Sequence, residues 1–70
     1  MVPTVGGMTV IAVHSSAIRA IGYDGYTLAV QFKNGRISDY RGVPESVFHE
    51  FMDAWSKGRY YIRRIRGRYR

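Results

Sequence analysis

The stretch AIRAIGYDGYTLAVQFKNGRISDYR, residues 17–41, decides how this chain folds. Within it Tyr26, Leu28, Val30 and Phe32 alternate with Thr27, Ala29 and Gln31, so the larger apolar side chains fall on one face of a strand. The dipeptides Asp24-Gly25 and Asn34-Gly35 bracket that strand, and both are of the kind that supplies the positive φ angles of a type I′ hairpin turn. Residues 17–41 are therefore predicted to form a three-stranded antiparallel meander. On the N-terminal side, TVIAV (residues 9–13) is β-branched and apolar enough for a further short strand. MVPTVGG (residues 1–7) contains Pro3 and Gly6-Gly7, which interrupt pairing, and reads as a flexible leader outside the fold.

On the C-terminal side, Gly42-Val43-Pro44 stops the third strand. Pro44 suits the first position of a helix, where its missing N–H would have had no partner, and Glu45 in the first turn complements the helix dipole. Val47, Phe48, Phe51, Met52 and Trp55 recur at helical spacing and are expected to be core, with Glu50 and Asp53 off that stripe. Lys57 and Gly58 are expected to close this helix. The following RYYIRRIRGRYR predicts a short helix docked by Tyr61, Ile62 and Ile65 that frays after Gly67, with an extended tail as the alternative. The fold class is thus α+β: a small antiparallel meander of three to four strands covered by one α-helix. Residues 8–70 form a single domain and residues 57–70 its basic tail.

Seventy residues allow one small core and no second domain. Cysteine is absent, which excludes disulfides, thiolate metal sites and cysteine nucleophiles and suits a cytoplasmic setting. Apolar runs are only a few residues long, far short of the ~20 that span a bilayer, so no membrane role is expected. The net charge is +6, yet residues 57–70 alone carry +7 and residues 1–56 carry −1. A near-neutral body with a concentrated cationic end points to a polyanionic partner.

Catalysis is not expected. His14, Ser15 and Asp24 are residue types of a nucleophilic triad, but proximity in sequence is not triad geometry, and Ser15 and Ser16 better suit turn hydrogen bonds. Two isolated histidines without cysteine do not make a structural metal site, and no glycine-rich phosphate-binding fingerprint follows a strand, so no metal or cofactor is predicted.

Taken in order, Val13-His14-Ser15-Ser16-Ala17-Ile18, Ile21-Gly22-Tyr23-Asp24, Phe32-Lys33-Asn34-Gly35, Tyr40-Arg41-Gly42-Val43-Pro44 and Ala54-Trp55-Ser56-Lys57-Gly58-Arg59-Tyr60-Tyr61 resemble the KTSC family. These small domains occur at the C-terminus of some lysyl-tRNA synthetases and as free-standing bacterial and phage proteins. The resemblance covers roughly residues 8–70 and implies RNA binding. The family's central Y-x-Y motif is altered here: Ser38-Asp39-Tyr40 keeps the second tyrosine and replaces the first, which would halve a paired stacking platform.

Arginine offers a planar fork for phosphate and a surface for stacking, and tyrosine stacks and hydrogen-bonds. The nucleic-acid-binding candidates are accordingly Arg36, Tyr40, Arg41, Arg59, Tyr60, Arg63, Arg64, Arg66, Arg68 and Tyr69, with RNA preferred over DNA. Two other readings stay open: a homo-oligomer paired through exposed β-edges, and a binder of small phosphorylated ligands such as a nucleotide signal.

Overall fold

A computed structural model describes residues 8–69 and the backbone of Thr4–Val5. The strands are β1 (Thr4–Val5), β2 (Met8–Ala12), β3 (Ile18–Tyr23), β4 (Leu28–Phe32) and β5 (Ile37–Tyr40). They pair antiparallel in the order β1-β2-β3-β4-β5, so every strand lies beside its neighbour in sequence. The α+β meander is as expected. Of the residues read as a leader, Thr4–Val5 pair with Met8–Thr9, and the others lie outside the described residues.

Both hairpin turns differ from the expected type I′. Tyr23 pairs with Leu28, which makes Asp24–Thr27 a four-residue loop. Asp24 organises that loop through its carboxylate, which accepts the N–H groups of Tyr26 at 2.9 Å and Thr27 at 2.6 Å. In the second turn Gly35 N–H donates to the Phe32 carbonyl and Phe32 N–H to the Arg36 carbonyl, leaving a three-residue loop. Gly25 and Gly35 take positive φ, whereas among the described residues no non-glycine does, so Asp24 and Asn34 never adopt the left-handed conformation that a type I′ turn requires. A three-residue loop with glycine alone in the left-handed position matches the strand twist equally well.

A β-bulge fixes the core. Ile18 pairs with Phe32 and Ala20 with Gln31, so Arg19 is an extra residue and points to solvent. Ile18 and Ile21, three positions apart, can then both enter the core with Tyr23, Leu28 and Val30.

The cover is helical, and it has two parts. Helix α1 (Glu45–Asp53) follows Pro44, which holds the N-cap in an extended conformation. Phe51 is fully buried, and Phe48 stacks on Tyr23 with ring centroids 4.6 Å apart. The helix ends at Asp53 because Ala54 turns extended, with ψ 134°. Trp55, expected at the end of the apolar stripe, therefore lies beyond the helix and is fully exposed. Lys57 and Gly58 do not close α1; they belong to α2 (Lys57–Tyr60), whose N-cap is Ser56. Lys57 still satisfies the end of α1, since its ammonium donates to the Ala54 carbonyl at 3.2 Å.

Helix α2 runs into a π-helical segment, Tyr61–Ile65, closed by the Arg66 N–H donating to the Tyr61 carbonyl at 2.8 Å. Ile65 is fully buried in the same core as Phe51 and Leu28, so the basic end completes the domain. Ile62, expected to dock, is instead 60% exposed. Beyond the segment, Arg66 (φ −61°, ψ 125°) and Gly67 (φ 80°) form a type II turn with the Arg68 N–H bonded to the Ile65 carbonyl. That turn brings Tyr69 back against the core in place of the fraying expected after Gly67.

Candidate nucleic-acid interface

The kink that releases Trp55 leaves it fully exposed on the lining of a groove that also carries cations. Ser56 caps α2 through its hydroxyl, which accepts from Arg59 N–H; α2 carries Arg59, and the π-helical segment that continues it carries Arg63 and Arg64. Ala54, Trp55, Ser56, Arg59, Tyr60, Arg63 and Arg64 line an open groove of about 320 Å³. Among the described residues no arginine forms an ion pair with a carboxylate, so these guanidinium groups are available to external anions.

The expected tyrosines are largely occupied within the fold. Tyr60 stacks on Phe51 at 5.4 Å, and its hydroxyl donates to Glu50 Oε1 at 2.8 Å. Burial, then the bond to the Glu50 carboxylate, pushes the Tyr60 hydroxyl up to about 12. Tyr40 packs edge-on against Tyr61, and the two hydroxyls are hydrogen-bonded to each other. Tyr61 also meets Phe32 edge-on at 5.1 Å, and burial followed by the Tyr40 bond pushes its hydroxyl up to about 12 as well. Tyr69 is half-buried and shares a smaller groove with Val47, Glu50, Tyr60, Arg64 and Arg68.

Three sets of candidates are thus brought together. Arg59, Tyr60, Arg63 and Arg64 join Trp55; Arg64, Arg68, Tyr60 and Tyr69 meet beside Glu50; and Arg36 meets Arg66 across a cavity shared with Phe32, Asn34, Ser38 and Tyr61. Arg41, exposed at the bend after β5, lines none of these three. Trp55 is the candidate side chain that the sequence pattern misplaces. The signal for it is Ser56, a strong N-cap residue just inside the expected end of the first helix.

Other chemistry finds less support. Ser15 Oγ accepts from the N–H groups of Ala17 and Ile18 and serves the turn before β3. His49 pairs with Glu45 on the exposed face of α1, and among the described residues no cluster of three metal-ligating side chains forms. No described helix is long and apolar enough to cross a membrane.

Together these features define a small α+β module: a five-stranded antiparallel meander roofed by two helices, with a cationic flank presenting a free indole. The KTSC domain family model matches residues 14–69, and the chain belongs to that family. It is similar to a KTSC domain protein from Yersinia pestis whose crystal structure superposes with a TM-score of 0.85 at 40% identity, covering 90% of this chain and 92% of that one. An uncharacterized protein of Stutzerimonas stutzeri (strain A1501) is 36% identical over 53 residues, which span 73% of this chain and 75% of the relative.

Proposed function

We propose that this protein is a non-enzymatic, single-stranded nucleic-acid-binding module that takes RNA ahead of DNA and uses the Trp55 groove. One observation carries the reading: the fully exposed indole of Trp55 lies in a groove lined by Arg59, Arg63 and Arg64. An exposed indole leaves a large apolar surface in water, and a base stacked on it while arginines hold the adjoining phosphates supplies both elements of single-strand binding. The preference for RNA follows the resemblance to the domains of lysyl-tRNA synthetases.

Trp55 is the only tryptophan in the chain, so its emission reports on this groove alone. Titration with single-stranded RNA is expected to quench that emission together with a rise in RNA anisotropy. Trp55→Ala is expected to weaken binding by the ~1–3 kcal/mol of a base–aromatic stack. Neutralising Arg59, Arg63 and Arg64 to glutamine is expected to flatten the logarithmic salt slope by about 2, at ~0.7 per phosphate contact on a single strand. Binding that proceeds without quenching, and that Trp55→Ala leaves intact, refutes the reading.

A second reading, self-association, is favoured by the outer face of the sheet. There Met8, Val10, Ala20, Gly22, Ala29 and the 62% exposed Ile37 line an apolar trough of about 460 Å³, opposite the helices. Pairing with a second copy would cover apolar surface that a domain this small can use for stability. Sedimentation across a wide concentration range tests it, with a dimer that Ile37→Lys dissolves as the expected outcome and a concentration-independent monomer mass as the refutation.

A further inference from the structure

A second basic cavity lies between the β4–β5 hairpin and the end of the π-helical segment. Phe32, Asn34, Arg36, Ser38, Tyr61 and Arg66 line a cavity of about 340 Å³ there. It shares no residue with the lining of the Trp55 groove.

The chemistry of the lining is one-sided. Arg36 and Arg66 come from elements thirty positions apart in sequence, and neither forms an ion pair among the described residues. Asn34 Oδ1 is engaged by the Arg36 N–H at 3.0 Å, which leaves the Asn34 amide nitrogen to donate. Ser38 adds a hydroxyl. The Tyr61 hydroxyl is already paired with Tyr40, and no carboxylate lines the cavity. Two guanidinium groups and the Asn34 amide nitrogen donate into the cavity and no carboxylate opposes them, so the complementary ligand is an oxyanion. The remaining wall is aromatic, formed by the Phe32 and Tyr61 rings set edge-to-face.

Charge narrows the anion. Two guanidinium groups supply two positive charges; a phosphate monoester carries about −1.5 to −2 at neutral pH, whereas a backbone phosphodiester carries about −1. We infer that this cavity binds the phosphate monoester of a nucleotide, with Arg36 and Arg66 clamping the phosphate and the Phe32–Tyr61 wall receiving the nucleoside. A cavity of this size falls at the lower end of small-molecule sites. The same chemistry is offered by a free mononucleotide and by the 5′ end of a strand.

The test is calorimetric titration of the full chain with inorganic phosphate, a nucleoside 5′-monophosphate, and one short RNA carrying either a 5′-phosphate or a 5′-hydroxyl, all at fixed salt. Wild type is compared with Arg36→Gln and Arg66→Gln. Both arginine side chains are exposed, so the variants are expected to fold, and circular dichroism checks it. Each substitution removes a charge-assisted contact and is expected to weaken the mononucleotide by about tenfold or more. If the 5′-phosphorylated RNA outcompetes its hydroxyl counterpart in wild type and loses that advantage in the variants, the cavity holds strand ends. If only the free nucleotide responds, it holds mononucleotides; both outcomes sustain the inference. It is overturned if phosphate, mononucleotide and 5′-phosphorylated RNA all bind the variants as they bind wild type, or bind neither. Quenching of Trp55 by the 5′-hydroxyl RNA is read in the same titrations, so failure here is distinguishable from failure of the Trp55 groove.

Discussion

Truncating one residue of the basic end and one aromatic of the helix junction separates two descriptions of this molecule. Ile65 is fully buried against the sheet, as expected of a docking residue, whereas Trp55, expected in the core, is fully exposed. Ile65→Ala removes three carbons from a closed site, worth about 2.4 kcal/mol at ~0.8 kcal/mol per buried methylene, and the cavity left behind brings the cost to about 3 kcal/mol. A 70-residue chain has a total stability of about 3.5–10 kcal/mol, so this one change removes about a third of it or more. At ~4–8 °C per kcal/mol the melting temperature is expected to fall by more than about 10 °C. Trp55→Ala, by contrast, is expected to stay within about 0.5 kcal/mol, because no packed contact is lost. Urea unfolding monitored by far-ultraviolet circular dichroism reads both. An Ile65→Ala cost below about 1 kcal/mol, or a Trp55→Ala cost in the 3–5 kcal/mol range of a core aromatic, refutes this account of the cover.

Other perturbations follow from the same contacts. Tyr60 and Tyr61 hold their protons to about 12 in the folded chain against 10.0 ordinarily, so the stability they contribute is complete below pH 10 and is lost as pH rises through 12; urea midpoints taken from pH 9 to 11.5 are expected to fall, less steeply in Tyr60→Phe. Asp24 behaves in the opposite sense: the N–H groups of Thr27 and Tyr26 hold its carboxyl below the usual range, so its contribution is present at neutral pH and disappears as pH falls through that lowered value, a loss that Asp24→Asn is expected to abolish in an acid titration of the midpoint. Gly67→Ala forces a side chain into φ 80° and is expected to cost about 1–2 kcal/mol by thermal melting, with Tyr69 released from the core.

The strand alternation of residues 28–32 and the two glycine turns sufficed to predict the meander, because period-two patterning and turn chemistry are local. What they could not specify was loop length. The two dipeptides suggest left-handed conformations for Asp24 and Asn34, yet each instead accepts backbone N–H groups with its side chain, a second use of the same residue types. The bulge at Arg19 was equally hidden, since an inserted residue breaks the alternation that would reveal the strand. Gly58 carried the larger misreading. Glycine after an apolar stripe suits a helix end, but Ser56 two residues earlier opens a new helix, and a serine cap outweighs a glycine whose φ is not positive.

The candidate site was legible in composition and not in placement, and the reason lies in the geometry of the last twelve residues. In RYYIRRIRGRYR apolar and aromatic residues are interleaved with arginines along the whole run, so charge alone cannot say which rings face inward. The structure divides them by backbone. Tyr61, Ile65 and Tyr69, each four positions from the next, meet the core, while the wide π-helical turn and the type II turn after it leave Ile62 outside. Once three of the four are committed to packing, with Tyr60 held by Phe51 and Glu50, the segment has little aromatic surface left to offer a base. The backbone that carries the arginines is consequently anchored: Tyr61, Ile65 and Tyr69 pack on the core, so Arg59, Arg63 and Arg64 share one groove with Trp55 while Arg66 shares another with Arg36. Cations carried on a packed backbone lose less freedom on meeting an anion than those of a flexible polycation do, and that pre-organisation of the chain favours shaped recognition over charge neutralisation alone.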